Sequence, residues 1–256
     1  MKTSKIILYD EPTVPEIQLK KLAKFIVDIF PVEIETRDNF FQNSNQKIFK
    51  KIASARVFDL KKPFKIHVPI TDEIQTEVQN KDVSNREEMN LYDGFELQKI
   101  ASEYISKEEN QIDTLHIIFT NKLTCTFDES DFRYHARAMI GSNPAIISTS
   151  GIIEAPAKPK QYYLDLTTDF TRERVEEIKA KYKGEFLEYN DPRISEILEG
   201  YLLQAIMYYE TGNAFCENKE CRLYNAHWQK DLLDLQLKNK KLCMQHDKDL
   251  KELNQS

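Results

Sequence analysis

The chain lacks a glycine-rich phosphate loop and a Gly-x-Ser-x-Gly elbow, and its six glycines stand singly along 256 residues. The usual marks of a nucleotide-binding or serine-hydrolase fold are therefore missing. No apolar run approaches membrane-spanning length. The opening MKTSKIILYD passes from a short basic stretch straight into a strand-like run, without the apolar core of a signal peptide. These absences predict a cytoplasmic protein that does not engage a membrane. A basic surplus is missing too: 36 Lys and Arg against 42 Asp and Glu leave a net charge of -6, which gives no reason to expect nucleic acid as a partner. Cysteine is scarce, at four residues. In a cytoplasmic chain, cysteines that cluster more often hold metal than form disulfides.

What is present suffices for a core, with 41% hydrophobic residues. Residues 5–9 are β-branched and apolar, as suits a strand buried on both faces. Pro15 opens a helix along Ile17, Leu22, Phe25, Ile26 and Ile29, and Pro31 ends it. A strand over 32–36 follows, so a parallel β-α-β unit is expected. Asn43 or Ser44 caps the next helix, through Ile48, Ile52 and Ala55. Residues 64–70 read as extended, 71–84 as a polar surface excursion, and 86–106 as the longest middle helix. LHIIFT, at 115–120, is the best central strand. Further strands are expected at 122–127, 134–140 and 145–150, separated by the turn signals DESD and GSNP. The proline-bearing stretch 154–163 reads as a surface loop and 171–183 as a charged helix. Asp191-Pro192 then starts a helix with an apolar stripe along Ile194, Ile197, Leu198, Tyr201, Leu202, Ala205 and Ile206, closed by Gly212 at the C-cap. Asn225 caps a last helix carrying Trp228, Leu232, Leu233 and Leu235, and the charged residues after His246 are expected to fray.

The expected fold is α/β: a mixed, twisted sheet of four or five strands with flanking helices, and a C-terminal helical subdomain stapled by zinc. Residues 1–190 form the scaffold and 191–256 the helix and zinc-bound end, in one continuous domain.

Cys216, Cys221, Cys243 and His246 follow the spacing Cys-x4-Cys-x21-Cys-x2-His. A knuckle and a tighter second pair close a tetrahedron around one structural zinc and leave no open coordination position. His227, between the two pairs, is an alternative fourth ligand or a hydrogen-bonding neighbour. Cys125 reads as a small buried hydrophobe. His67 and His116 read as hydrogen-bonded strand residues, and His135, Glu210 and His227 are weak candidates for a second metal or acid–base site.

The stretch AIMYYETGNAFC at 205–216 resembles the archaemetzincins, zinc metallopeptidases with a His-Glu-x-x-His-x-x-Gly-x-x-His-Cys run leading into a cysteine-rich zinc site. Gly212 and Cys216 fall on the motif's glycine and closing cysteine. Cys221, Cys243 and His246 fall on the remaining structural-zinc positions. Ala205, Tyr209 and Phe215 stand where the three histidines belong, and Ile206 stands for the general-base glutamate. Arg222 and Leu223 replace the usual Val-Met after Cys221. The resemblance implies a zincin-like scaffold whose former metal-facing positions, Ala205 and Tyr209, are packed, and a peptide or protein partner bound without hydrolysis. An active hydrolase with relocated ligands and a zinc-stapled interaction module, marked by an exposed apolar patch around Trp228, are the alternatives.

Overall fold

The computed structural model describes residues 1–42, 44–79, 89–168, 171–213 and 215–255. The strand β1 (Lys5–Tyr9) pairs in parallel with β2 (Glu33–Arg37) on one side and β4 (Thr114–Thr120) on the other. On the far side of β4 lies β8 (Ala145–Ser148), also parallel, and the two-residue β7 (Met139–Ile140) closes the sheet as an antiparallel edge. The expected parallel β-α-β opening is present, through α1 (Leu19–Ile29).

Alternation along β1 sends its side chains to opposite faces. Ile6 and Leu8 join Leu115, Ile117, Phe119 and Ile147 in the main core, beneath α1 and α8 (Ile194–Thr211). Ile7 and Tyr9 face the other layer with Ile118, where α2 (Gln46–Ser54) and α4 (Gly94–Ser102) also pack. Burying each such Ile or Leu contributes about 1.5–3 kcal/mol, which is why the apolar runs take the centre of the sheet. The main core extends from Ile6 to Leu233.

Several expectations give way to tertiary context. Asn45 caps α2, its side chain accepting from the amides of Lys47 and Ile48; Asn43 lies outside the described residues. The polar stretch after residue 70 contains a helix, α3 (Thr71–Gln79), and 80–84 lie outside the described residues. The long middle helix is cut short: β3 (Leu91–Asp93) precedes it, and Asp93 caps α4 by accepting from the amides of Phe95 and Glu96. Residues 86–88 lie outside the described residues. With β5 (Leu123–Asp128) and β6 (Arg133–Arg137), β3 forms a second, three-stranded sheet that was not foreseen.

The strand expected to reach residue 150 stops at Ser148, whose hydroxyl caps α5 (Thr149–Glu154). The surface loop ends at Lys160, where α6 (Lys160–Thr168) begins. It packs with α7 (Arg172–Lys181) on a small core of Tyr162, Ile178, Tyr182 and Phe186. Asp191 bonds to the amide of Arg193, and α8 starts at Ile194. Gly212 ends α8 with φ +80°, as the C-cap glycine predicts. The last predicted helix starts after Trp228 rather than Asn225, as α9 (Gln229–Leu233), and widens into a π-helical turn over 234–238. Instead of a frayed tail, the described residues beyond His246 continue α10 (Met244–Gln255), which is laced by pairs such as Lys251–Asp247 at 2.5 Å, and Leu250 and Leu253 rest on the core.

Candidate metal centre and cleft

Cys216 follows the end of α8, Cys221 sits in the turn after it, and Cys243 directly precedes α10, which carries His246 in its first turn. Their ligand atoms all lie within 4.8 Å of one another. The Sγ atoms of Cys216 and Cys243 are 3.8 Å apart, Cys221 Sγ lies 3.6 Å from His246 Nδ1, and Cys243 Sγ lies 3.1 Å from it. A tetrahedron with a Zn–S bond of about 2.3 Å has edges of about 3.8 Å, so the donor set fits zinc. A sulfur separation of 3.8 Å is far too long for a disulfide.

Backbone amides of Asn218 and Cys243 each lie 3.4 Å from a cysteine sulfur, the arrangement that stabilises thiolate charge. Burial pushes the Cys221 thiol up, whereas backbone and His246 hydrogen bonds outweigh burial at Cys243 and draw it down to about 7. Behind the knuckle, buried Arg222 pairs with Glu199 of α8 at 3.3 Å and donates to Gln236 of the π-helical turn. This anchor of the metal loop to the long helix was not read from the sequence, because two of its three members come from distant polar positions.

A cavity of about 380 Å³ opens between α8, the edge strand β7 and the 224–227 loop. From α8, Tyr201, Gln204 and Tyr208 line it. The positions that the motif makes metal-facing are packed, as expected: Ala205 and Ile206 are fully buried in the main core, and the Tyr209 hydroxyl donates to the Ile112 carbonyl at 2.8 Å. The α8 residues that line the cavity, Gln204 and Tyr208, lie one residue, or about 100°, round the helix from Ala205 and Tyr209. Of the four positions that the motif makes catalytic, Phe215 alone reaches the cavity. A Cβ on Gly141 would come within 2.4 Å of the Tyr208 ring, so that ring lies flush against the end of β7.

His135, Glu210 and His227 are not brought together. His135 bonds to Asp131 at 3.0 Å, in a surface group with Asp128 at the β5–β6 turn. Glu210 accepts from the Lys2 and Thr3 amides and the Thr3 hydroxyl, tying down the N-terminus. His227 lines the cavity, while His246 lies with the three cysteines. His116 is a buried strand residue bonded to Tyr9, as expected, whereas His67 lies outside any strand and bonds to Glu73. Cys125 is fully buried, and burial pushes its thiol up to about 12. Trp228 is exposed, with the Lys160 amine over its ring.

A mixed sheet with an antiparallel edge strand, a long helix below the cleft and a cysteine cluster beyond that helix define a zinc-peptidase-like fold. The chain belongs to the probable metallopeptidase family DUF6775, whose model matches residues 2–253. It is similar in structure to a zinc-dependent peptidase from Methanocorpusculum labreanum (strain Z): TM-score 0.50 at 12% identity, over 96% of this chain and 100% of that one. No curated protein matches the sequence.

Proposed function

We propose that this protein keeps a metallopeptidase scaffold, holds one structural zinc through Cys216, Cys221, Cys243 and His246, and binds a peptide in the cleft without hydrolysing it. The observation that carries this reading is the cleft's chemistry. Among the described residues His227 is its one metal-ligating side chain of the His, Cys, Asp or Glu type, and no carboxylate lines it to serve as general base. Peptide hydrolysis at a zinc centre needs about three protein ligands, an open position for water and a group to take the water's proton. The edge strand β7 instead offers backbone to an extended peptide, beside an aromatic wall. We place the protein in the cytoplasm, in keeping with reduced thiols that bind metal.

The test is a mixture of denatured proteins incubated with purified protein and added zinc, and analysed by mass spectrometry for new termini. The expected outcome is no cleavage above a heat-inactivated control. Cleavage that disappears with a zinc chelator and with His227→Gln would overturn the reading.

A further inference from the structure

The charge of the cleft is opposite to that of the molecule. The protein carries 42 acidic residues and a net charge of -6, yet no Asp or Glu lines the cavity among the described residues, and Arg137 is its single formal cation. Arg137, the last residue of β6, is half-buried. Its Nε donates to Thr126 Oγ1 at 2.8 Å, which fixes the plane of the guanidinium. Among the described residues no ion pair involves it. Asp128, whose carboxyl its charge helps to lower, bonds to Ser130 instead. A planar guanidinium with its terminal N–H groups unspent is the donor fork that matches a carboxylate in two hydrogen bonds.

The rest of the wall agrees with an anionic group at the end of an apolar chain. Tyr201, Tyr208 and Tyr224 give aromatic surface with hydroxyls as further donors, and the exposed His227 supplies an imidazole. A volume of about 380 Å³ is that of a pocket for a few residues of chain, at the low end of ligand sites. A single cation suits a single negative charge; a doubly charged phosphate would call for more.

We propose that the cleft recognises a carboxylate on its ligand, received by Arg137, with the tyrosine wall holding the apolar residues that precede it. This rests on the reading that the cleft binds peptide without cutting it. The carboxylate has two sources, a free peptide C-terminus or an acidic side chain.

Three pools of N-acetylated tetrapeptides separate them: apolar sequences with a free C-terminus, the same sequences amidated, and amidated sequences with one internal glutamate. Each is passed over immobilised full-length protein and the retained fraction sequenced. Retention of the free acids over the amides places the C-terminus in the site; retention of the glutamate pool over the apolar amides places a side chain there. In either case Arg137→Gln weakens retention by about tenfold or more, the usual weight of a charge-assisted bond, and Arg137→Lys restores part of it. An unchanged melting temperature shows that the variant is folded. Equal retention of all three pools, no retention of any pool, or an Arg137→Gln variant that binds like wild type would overturn the proposal. Equal retention leaves the peptide-binding reading standing, whereas cleaved peptides in the eluate defeat that reading itself.

Discussion

Glu77 is 2% exposed and still charged, because Arg56 lies 2.5 Å from one carboxylate oxygen and Lys122 2.8 Å from the other, with the Tyr92 hydroxyl at 2.7 Å. Burial alone would raise its pKa, but the Lys122 and Arg56 charges more than offset that and hold it below the ordinary glutamate value. Hydrogen bonds from Arg37 and Lys5 likewise bring Glu35 down to about 2, and Arg37 lowers Glu109. A carboxylate with a depressed folded pKa stabilises the fold above its unfolded pKa, and that stabilisation is lost as pH falls toward the folded value. Melting temperature is therefore expected to hold from neutral pH to about 5 and to fall steeply between about 4.5 and 2. Glu77→Gln, which leaves two buried cations short of a partner, is expected to cost about 3–5 kcal/mol at pH 7 in a denaturant titration. A flat acid profile, or a neutral Glu77→Gln, would contradict this account of the cluster.

The elements show which signals in the sequence were legible. The clustering of Cys216, Cys221, Cys243 and His246 was, because a knuckle and a Cys-x2-His pair are short-range patterns that the fold only has to bring together. Strands β1 and β4 were, because short apolar runs rich in isoleucine leave little choice. Helix α3 was not, because its buried anchor is Glu77, a charged residue whose partners Arg56 and Lys122 lie elsewhere in the chain. Helix α10 looked like a fraying tail because alternating charge was read without its i,i+4 spacing, which pairs Lys251 with Asp247. The apolar stripe of α8 was legible and is buried as read, but which residues meet the cleft was not, since a helix that is apolar nearly all round does not say. That placement is testable. Ala205→His forces a polar ring into a fully packed core and is expected to cost about 3 kcal/mol or more, whereas Tyr208→His exchanges rings at the cleft wall and costs about half that. Calorimetry on the two variants decides; a milder Ala205→His would mean that the helix faces the other way.

In the whole molecule, the chain's two ends and its metal loop converge. The N-terminal amine of Met1 donates to the Leu253 carbonyl, Asn254 donates to Ile29, and Lys2 and Thr3 are tied to Glu210 near the end of α8. The Cys3His cluster closes the loop that joins α8 to α10, so a metal held there, as proposed above, would couple its binding to the packing of both termini. The cleft borders the same loop, at Phe215 and Tyr224, and there α8 presents the rings of Tyr201 and Tyr208. The most direct test of this account is metal content by mass spectrometry on protein purified without chelator, for wild type and for Cys216→Ser. The account predicts one zinc per chain in the wild type, and in Cys216→Ser both loss of that zinc and a lowered melting temperature. Two zincs in the wild type, with one kept in Cys216→Ser, would contradict it and show that a second metal site exists.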